Sequence, residues 1–103
     1  MPFLHIEHPI TDLKSWVSAF AGFTETRRQA GVTAETVRRP EGDDAFVVID
    51  LEFDTTEQAH TFLHFLETQI WVVAENAPAL AGSPEARILT TVEFTGPDWE
   101  PPS

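Results

Sequence analysis

The chain has no cysteine and no tyrosine, a single methionine, and six basic residues against seventeen acidic ones. Without cysteine there is no disulfide framework, no thiol nucleophile and no thiolate metal site, a composition that fits a reducing cytoplasm. Basic residues adjoin only at Arg27–Arg28 and Arg38–Arg39, and the formal charge is −11. Phosphate recognition needs clustered Lys and Arg, so nucleic acid is excluded as a partner, and anionic membrane surfaces are disfavoured on the same ground. Long hydrophobic runs are missing too. AFVVI and IWVVA are the main apolar runs, far short of the ~20 residues a membrane span requires. The amino-terminal stretch MPFLHIEHP has no basic region followed by a long apolar segment, so no secretory leader is read there. Nor is there a phosphate-binding glycine loop, a nucleophile elbow or a dinucleotide fingerprint. The expectation is a cytoplasmic, acidic domain that needs no cofactor.

What is present is aromatic. Eight Phe and three Trp among 103 residues are rings of little polarity that must be buried in a core or an interface. The length suits one domain with one core.

Phe3 to His8 alternates and is closed by Pro9, the pattern of a strand. Leu4 and Ile6 fall on one face, Phe3, His5 and Glu7 on the other. Thr11 offers a helix N-cap, with Asp12 in the first turn. Leu13, Trp16, Val17, Phe20 and Phe23 then share one helical stripe. Gly22 is a place for a bend or a break, and Gly31 a natural residue to end the helix. Val32 to Arg39 is a more polar strand suited to an edge. The turn cluster Pro40–Asp44 makes it one arm of a hairpin with Ala45 to Phe53. In that next strand Val47, Ile49, Leu51 and Phe53 form one apolar face, opposite Phe46, Val48, Asp50 and Glu52.

A second helix follows at once, with Asp54/Glu57 or Thr55/Gln58 as its capping box. Ala59, Phe62, Leu63, Leu66, Ile70 and Val73 lie in a stripe about 80° wide at 100° per residue. Ala77-Pro78 ends or kinks it, and Ala86 to Thr95 reads as the fourth strand. Residues 96–103, with three Pro, read as a flexible tail in which Trp99 is free to dock.

The order strand, helix, strand, strand, helix, strand predicts an α+β domain over residues 1–95. This is the ferredoxin-like βαββαβ arrangement, a four-stranded antiparallel sheet with two helices on one face. The other face, holding Phe3, His5, Glu7, Val37, Arg39, Phe46, Val48, Asp50, Glu52, Leu89, Thr91 and Glu93, is too apolar for water and too charged for a dry core. A second copy packed sheet to sheet would cover it, so the prediction is a homodimer.

The runs HPITDLKSWVSAF, ETRRQAGV, VVIDLEFDTTEQAHTFL and ALAGSPEARIL resemble the dimeric α/β-barrel superfamily. The likeness is nearest to small members beside the antibiotic-biosynthesis monooxygenases and polyketide cyclases. It covers roughly residues 3 to 94 and implies a homodimer with a pocket in each subunit between sheet and helices. The haem-degrading branch of that superfamily uses an Asn on the first strand and a late His in the second helical region. This chain has His5 and His8 on the first strand and no His from Thr68 to Ala77.

Three groups of polar residues are candidates for chemistry. Arg27 shares the stripe of Trp16, Phe20 and Phe23; either it points inward and meets a ligand carboxylate or enolate, or Gly22 shifts the phase and leaves it a C-terminal dipole partner. On the second helix Glu57, His60, His64, Glu67 and Trp71 lie beside the apolar stripe. His60, His64 and Glu67 have a spacing that could grip a metal, but the zincin pattern is absent and a solvated face is the alternative; no metal is assigned. On the far sheet face His5, Glu7, Asp50, Glu52 and Glu93 would support proton transfer or pair across a dimer axis. The enzyme reading takes His5, Arg27 and Asp50 as catalytic, in a pocket of Trp16, Phe20, Phe62, Leu66 and Trp71 where Arg27 or His5 is the polar element. It acts on an aromatic or polyketide-like compound as a cofactor-independent monooxygenase or cyclase. The other reading is a non-catalytic dimeric module that binds a small organic ligand or a protein.

Overall fold

The computed structural model describes residues 1–73 and 79–92. Its elements are β1 (Phe3–Pro9), α1 (Leu13–Ala21), α2 (Thr24–Gln29), β2 (Ala34–Arg38), β3 (Phe46–Glu52), α3 (Thr56–Phe65) and β4 (Glu85–Leu89), with a π-helical turn, Leu66–Ile70, extending α3. The expected helix end at Ala77-Pro78, the position of Glu93, the strand end expected at Thr95, and the tail 96–103 lie outside the described residues.

The four strands form one sheet in the order β2-β3-β1-β4. All neighbours run antiparallel, with Leu4 opposite Leu51 and Ile88, and Val37 opposite Ile49. The strands joined through helices, β1 with β2 and β3 with β4, are each separated by one intervening strand. That is the split arrangement of the α+β, ferredoxin-like fold predicted from the element order.

The alternation read from the sequence is kept in β1 and β3, where even and odd positions respectively are buried. Leu4, Val47, Leu51 and Phe53 are almost wholly removed from solvent, each worth about 2 kcal/mol by area. They meet Trp16, Ala59 and Phe62 from the helical layer to make the core. Of the two capping boxes the sequence offers, Thr55/Gln58 forms: the Thr55 hydroxyl accepts from the Gln58 N–H while the Gln58 side chain accepts from the Thr55 N–H. Gly31 takes a φ of 103°, the left-handed region that favours glycine, as the chain leaves α2.

At Gly22 the break that the sequence leaves open is taken: its N–H is shared between the Ser18 and Ala19 carbonyls, Phe23 bonds back to Phe20, and the first helical segment becomes two helices. Four details differ from the sequence reading. The cap of α1 is Asp12, not Thr11: its carboxylate accepts from the Ser15 N–H and hydroxyl, which holds its pKa below the usual carboxylate range. In β2 the register puts Thr36 beside Asp50 and Arg38 beside Val48, so Ala34, Thr36 and Arg38 lie on the open face. Val37, expected there, lies on the helix side, and Arg39 is past the strand, paired with Asp44. An edge strand with no apolar face leaves its register unspecified by sequence. β4 ends at Leu89, short of the strand expected as far as Thr95, and Val92 beyond it is exposed. Val73 is likewise exposed, since the helix has already ended before it.

Candidate functional site

The helical layer and the sheet enclose an apolar cavity of about 90 Å³, open to solvent. β1 and β3 supply Ile6, His8, Ile49 and Leu51 to its floor; α1, α2 and the link between them supply Trp16, Phe20, Phe23, Thr26 and Arg27; α3 and the π turn supply Phe62, Phe65, Leu66 and Ile70, with Trp71 just beyond. All five residues expected to bind a substrate, Trp16, Phe20, Phe62, Leu66 and Trp71, line it. Trp71 arrives there through the π turn: its N–H bonds the Leu66 carbonyl five residues back, so it lags the ordinary helical phase that places it with His60 and His64.

One wall is a stack. Trp16 and Phe20 lie with ring centroids 4.8 Å apart, and the Arg27 guanidinium sits 3.6 Å from the centroid of the Phe20 ring, a cation–π contact. Of the two orientations open for Arg27, the inward one holds: it is 4% exposed. Its Nε donates to Glu35 at 2.6 Å and Nη2 to the other Glu35 oxygen at 3.2 Å; Nη1 donates to the Phe20 carbonyl at 2.6 Å and Nη2 to Thr24 Oγ1 at 3.2 Å. Most of its donors and its charge are therefore already engaged. Sequence reasoning does not single out Glu35, because the register of β2 is not legible there.

His5 and Asp50 are brought together, but on the opposite side of the sheet. His5 Nδ1 lies 2.6 Å from Asp50 Oδ1 and Nε2 2.8 Å from Glu7 Oε2, while Arg38 donates to the other Asp50 oxygen at 3.2 Å. Burial acts to lower the His5 pKa, but hydrogen bonds to the two carboxylates and their charges outweigh it and raise it. With an acceptor at each ring nitrogen, the imidazolium can donate to both. His5 therefore cannot be the polar element of the cavity, and it shares no site with Arg27.

His8 takes that place. It falls on the same face of β1 as Leu4 and Ile6 and is 4% exposed; this parity is the signal in the sequence. Its Nδ1 lies 3.0 Å from the Pro9 carbonyl oxygen, which also accepts from the Ala81 N–H at 3.2 Å. A carbonyl can only accept, so Nδ1 carries the proton and Nε2 presents a lone pair. Burial lowers the His8 pKa, only partly opposed by the bond to Pro9.

His60, His64 and Glu67 are exposed, and among the described residues no three His, Asp or Glu side chains gather as a metal-ligand set. No described helix is long and apolar enough to cross a membrane.

No protein-family model matches the chain, and no curated protein does. Solved structures do match. An antibiotic biosynthesis monooxygenase aligns with a TM-score of 0.63 at 12% identity, over 90% of this chain and all of its own. A monooxygenase of Streptomyces coelicolor, solved in complex with the ligand nanaomycin D, aligns at 0.58 and 18% identity, over 94% of this chain and 92% of its own. A dimeric ferredoxin-like protein from an uncultured marine organism aligns at 0.60 and 11%, over 89% and 98%. These structural neighbours are of the kind that the sequence pattern resembles, and at such identities what this chain shares with them is the ferredoxin-like fold.

Proposed function

We propose that this chain is a small-molecule-binding protein that works in the cytoplasm as a homodimer joined through the open sheet face. Its cavity binds an aromatic compound for monooxygenase- or cyclase-like turnover. The observation that carries the reading is the aromatic cavity between sheet and helices, which holds one buried histidine whose Nε2 meets no hydrogen-bond donor among the described residues. The fold is shared with monooxygenases, one of which was solved with the ligand nanaomycin D. For assembly, the support is the partly apolar open face and the neighbours described as dimeric. The unit proposed is residues 1–95.

Size bears on the ligand. A cavity of about 90 Å³ is well below the roughly 300–1,000 Å³ of pockets for drug-sized molecules. It suits one ring projecting through the mouth rather than a fused polycycle. Small size and the engagement of Arg27 by Glu35 favour the second reading, a dimeric module that binds without turning over.

Trp16 and Trp71 line the cavity, so titration with hydroquinone should change tryptophan fluorescence, and an oxygen electrode reads turnover. Binding with oxygen uptake supports the monooxygenase; binding without uptake, with the hydroquinone recovered unchanged by chromatography, supports the module; no binding ends both. Light scattering should give twice the 11.5 kDa chain mass; a monomer sinks the dimer.

A further inference from the structure

We infer that His8 Nε2 selects the ligand of this cavity: it is a fixed hydrogen-bond acceptor that admits uncharged small aromatics bearing an O–H or N–H, and disfavours carboxylates. The inference rests on the cavity being the binding site, as proposed above, and adds the chemistry of what enters.

Nδ1–H is committed to the Pro9 carbonyl, which fixes the tautomer and turns the lone pair to Nε2. No hydrogen bond reaches Nε2 from any described residue, yet among the described residues no fully buried side-chain nitrogen or oxygen lacks a partner. Nε2 therefore stays reachable from open space, and His8 lines the cavity, so the lone pair is offered there. Around it are rings, with Trp16 tilted at 6.1 Å. A group that completes this acceptor must itself donate. An ether or a methyl group in the same place leaves Nε2 unpaired in an apolar setting, and a carboxylate sets negative charge against a lone pair.

Arg27 does not reverse that preference. It is the one formally charged residue among the cavity lining described, and its fork is closed on Glu35 with a further bond to Phe20. An anion entering the cavity would lose its water and meet no unpaired cation. Thr26, also in the lining, is uncharged, and its hydroxyl donates as readily as it accepts.

The test compares phenol, anisole and benzoate by tryptophan fluorescence and calorimetry on the full chain and on His8→Phe, near neutral pH where phenol is uncharged. The full chain should bind phenol about tenfold more tightly than anisole, the size of one well-made neutral hydrogen bond, and benzoate more weakly than either. In His8→Phe the phenol preference should vanish while anisole still binds. Equal affinity for phenol and anisole in the full chain overturns the inference and leaves the cavity as binding site. Preferred binding of benzoate overturns it too. Failure of all three ligands to bind overturns it together with the binding reading. If His8→Phe does not fold by circular dichroism, the phenol-to-anisole ratio of the full chain decides alone.

Discussion

Arg27 and Glu35 close a two-point ion pair between α2 and β2, with the arginine buried and the glutamate at the rim. The pair ties the short second helix to the edge strand and fixes the ring stack behind it. Breaking such a pair from one side leaves a buried cation without its partner, whereas replacing both members removes the problem.

Glu35→Gln should therefore destabilise the fold by about 2 kcal/mol, below the usual 3–5 for a fully buried pair because Glu35 is partly solvated. The double variant Arg27→Met/Glu35→Gln should recover part of the loss. Urea unfolding of the three proteins measures this; a double variant no more stable than Glu35→Gln would contradict it.

The histidines of β1 should drive stability in opposite directions with pH. His5 has a raised folded pKa, so its contribution is whole below the unfolded value of about 6.5 and is lost as pH climbs through the folded value. His8 has a lowered one, so the unfolded chain takes up its proton first, and stability falls as pH drops below about 6.5. In His8→Phe, unfolding free energy should decline from pH 6 to 8. In His5→Gln it should rise from pH 5.5 to 7. Chemical denaturation across that range shows whether the slopes have these signs.

Gly31→Ala should cost about 1–2 kcal/mol. The left-handed φ strains any side chain, and a Cβ there would stand 2.7 Å from Gln58 Nε2, the side chain that completes the cap of α3. Thr55→Ala should cost about 1 kcal/mol by removing the other half of that box. Because the two act on one cap, the double variant should lose less than the sum; thermal unfolding of the set would reveal full additivity if the coupling is absent.

How much is legible in the sequence follows from how strongly each segment is constrained. β1 and β3 alternate cleanly over a buried face, so their period of two alone assigns Val47, Ile49, Leu51 and Phe53 to the core. The cavity wall of Trp16, Phe20, Phe62 and Leu66 follows from helical spacing. β2 has no apolar face, so a slip of one residue is invisible there, and with it the partner of Arg27. The place of Trp71 depends on a π turn whose hydrogen bonds no spacing rule anticipates. His8 is legible by parity with Leu4 and Ile6, yet a histidine on an apolar face reads first as filler.

β1 places His5 and His8 three residues apart on opposite surfaces of the same ribbon. One ring sits between two carboxylates that raise its pKa; the other sits among hydrocarbon, where burial lowers it. The strand thus acts as a partition between two local acidities only a sheet's thickness apart. Acidification and alkalinisation act on different faces, so the open sheet face and the cavity can be tuned to separate pH ranges by changing carboxylates on one side or rings on the other.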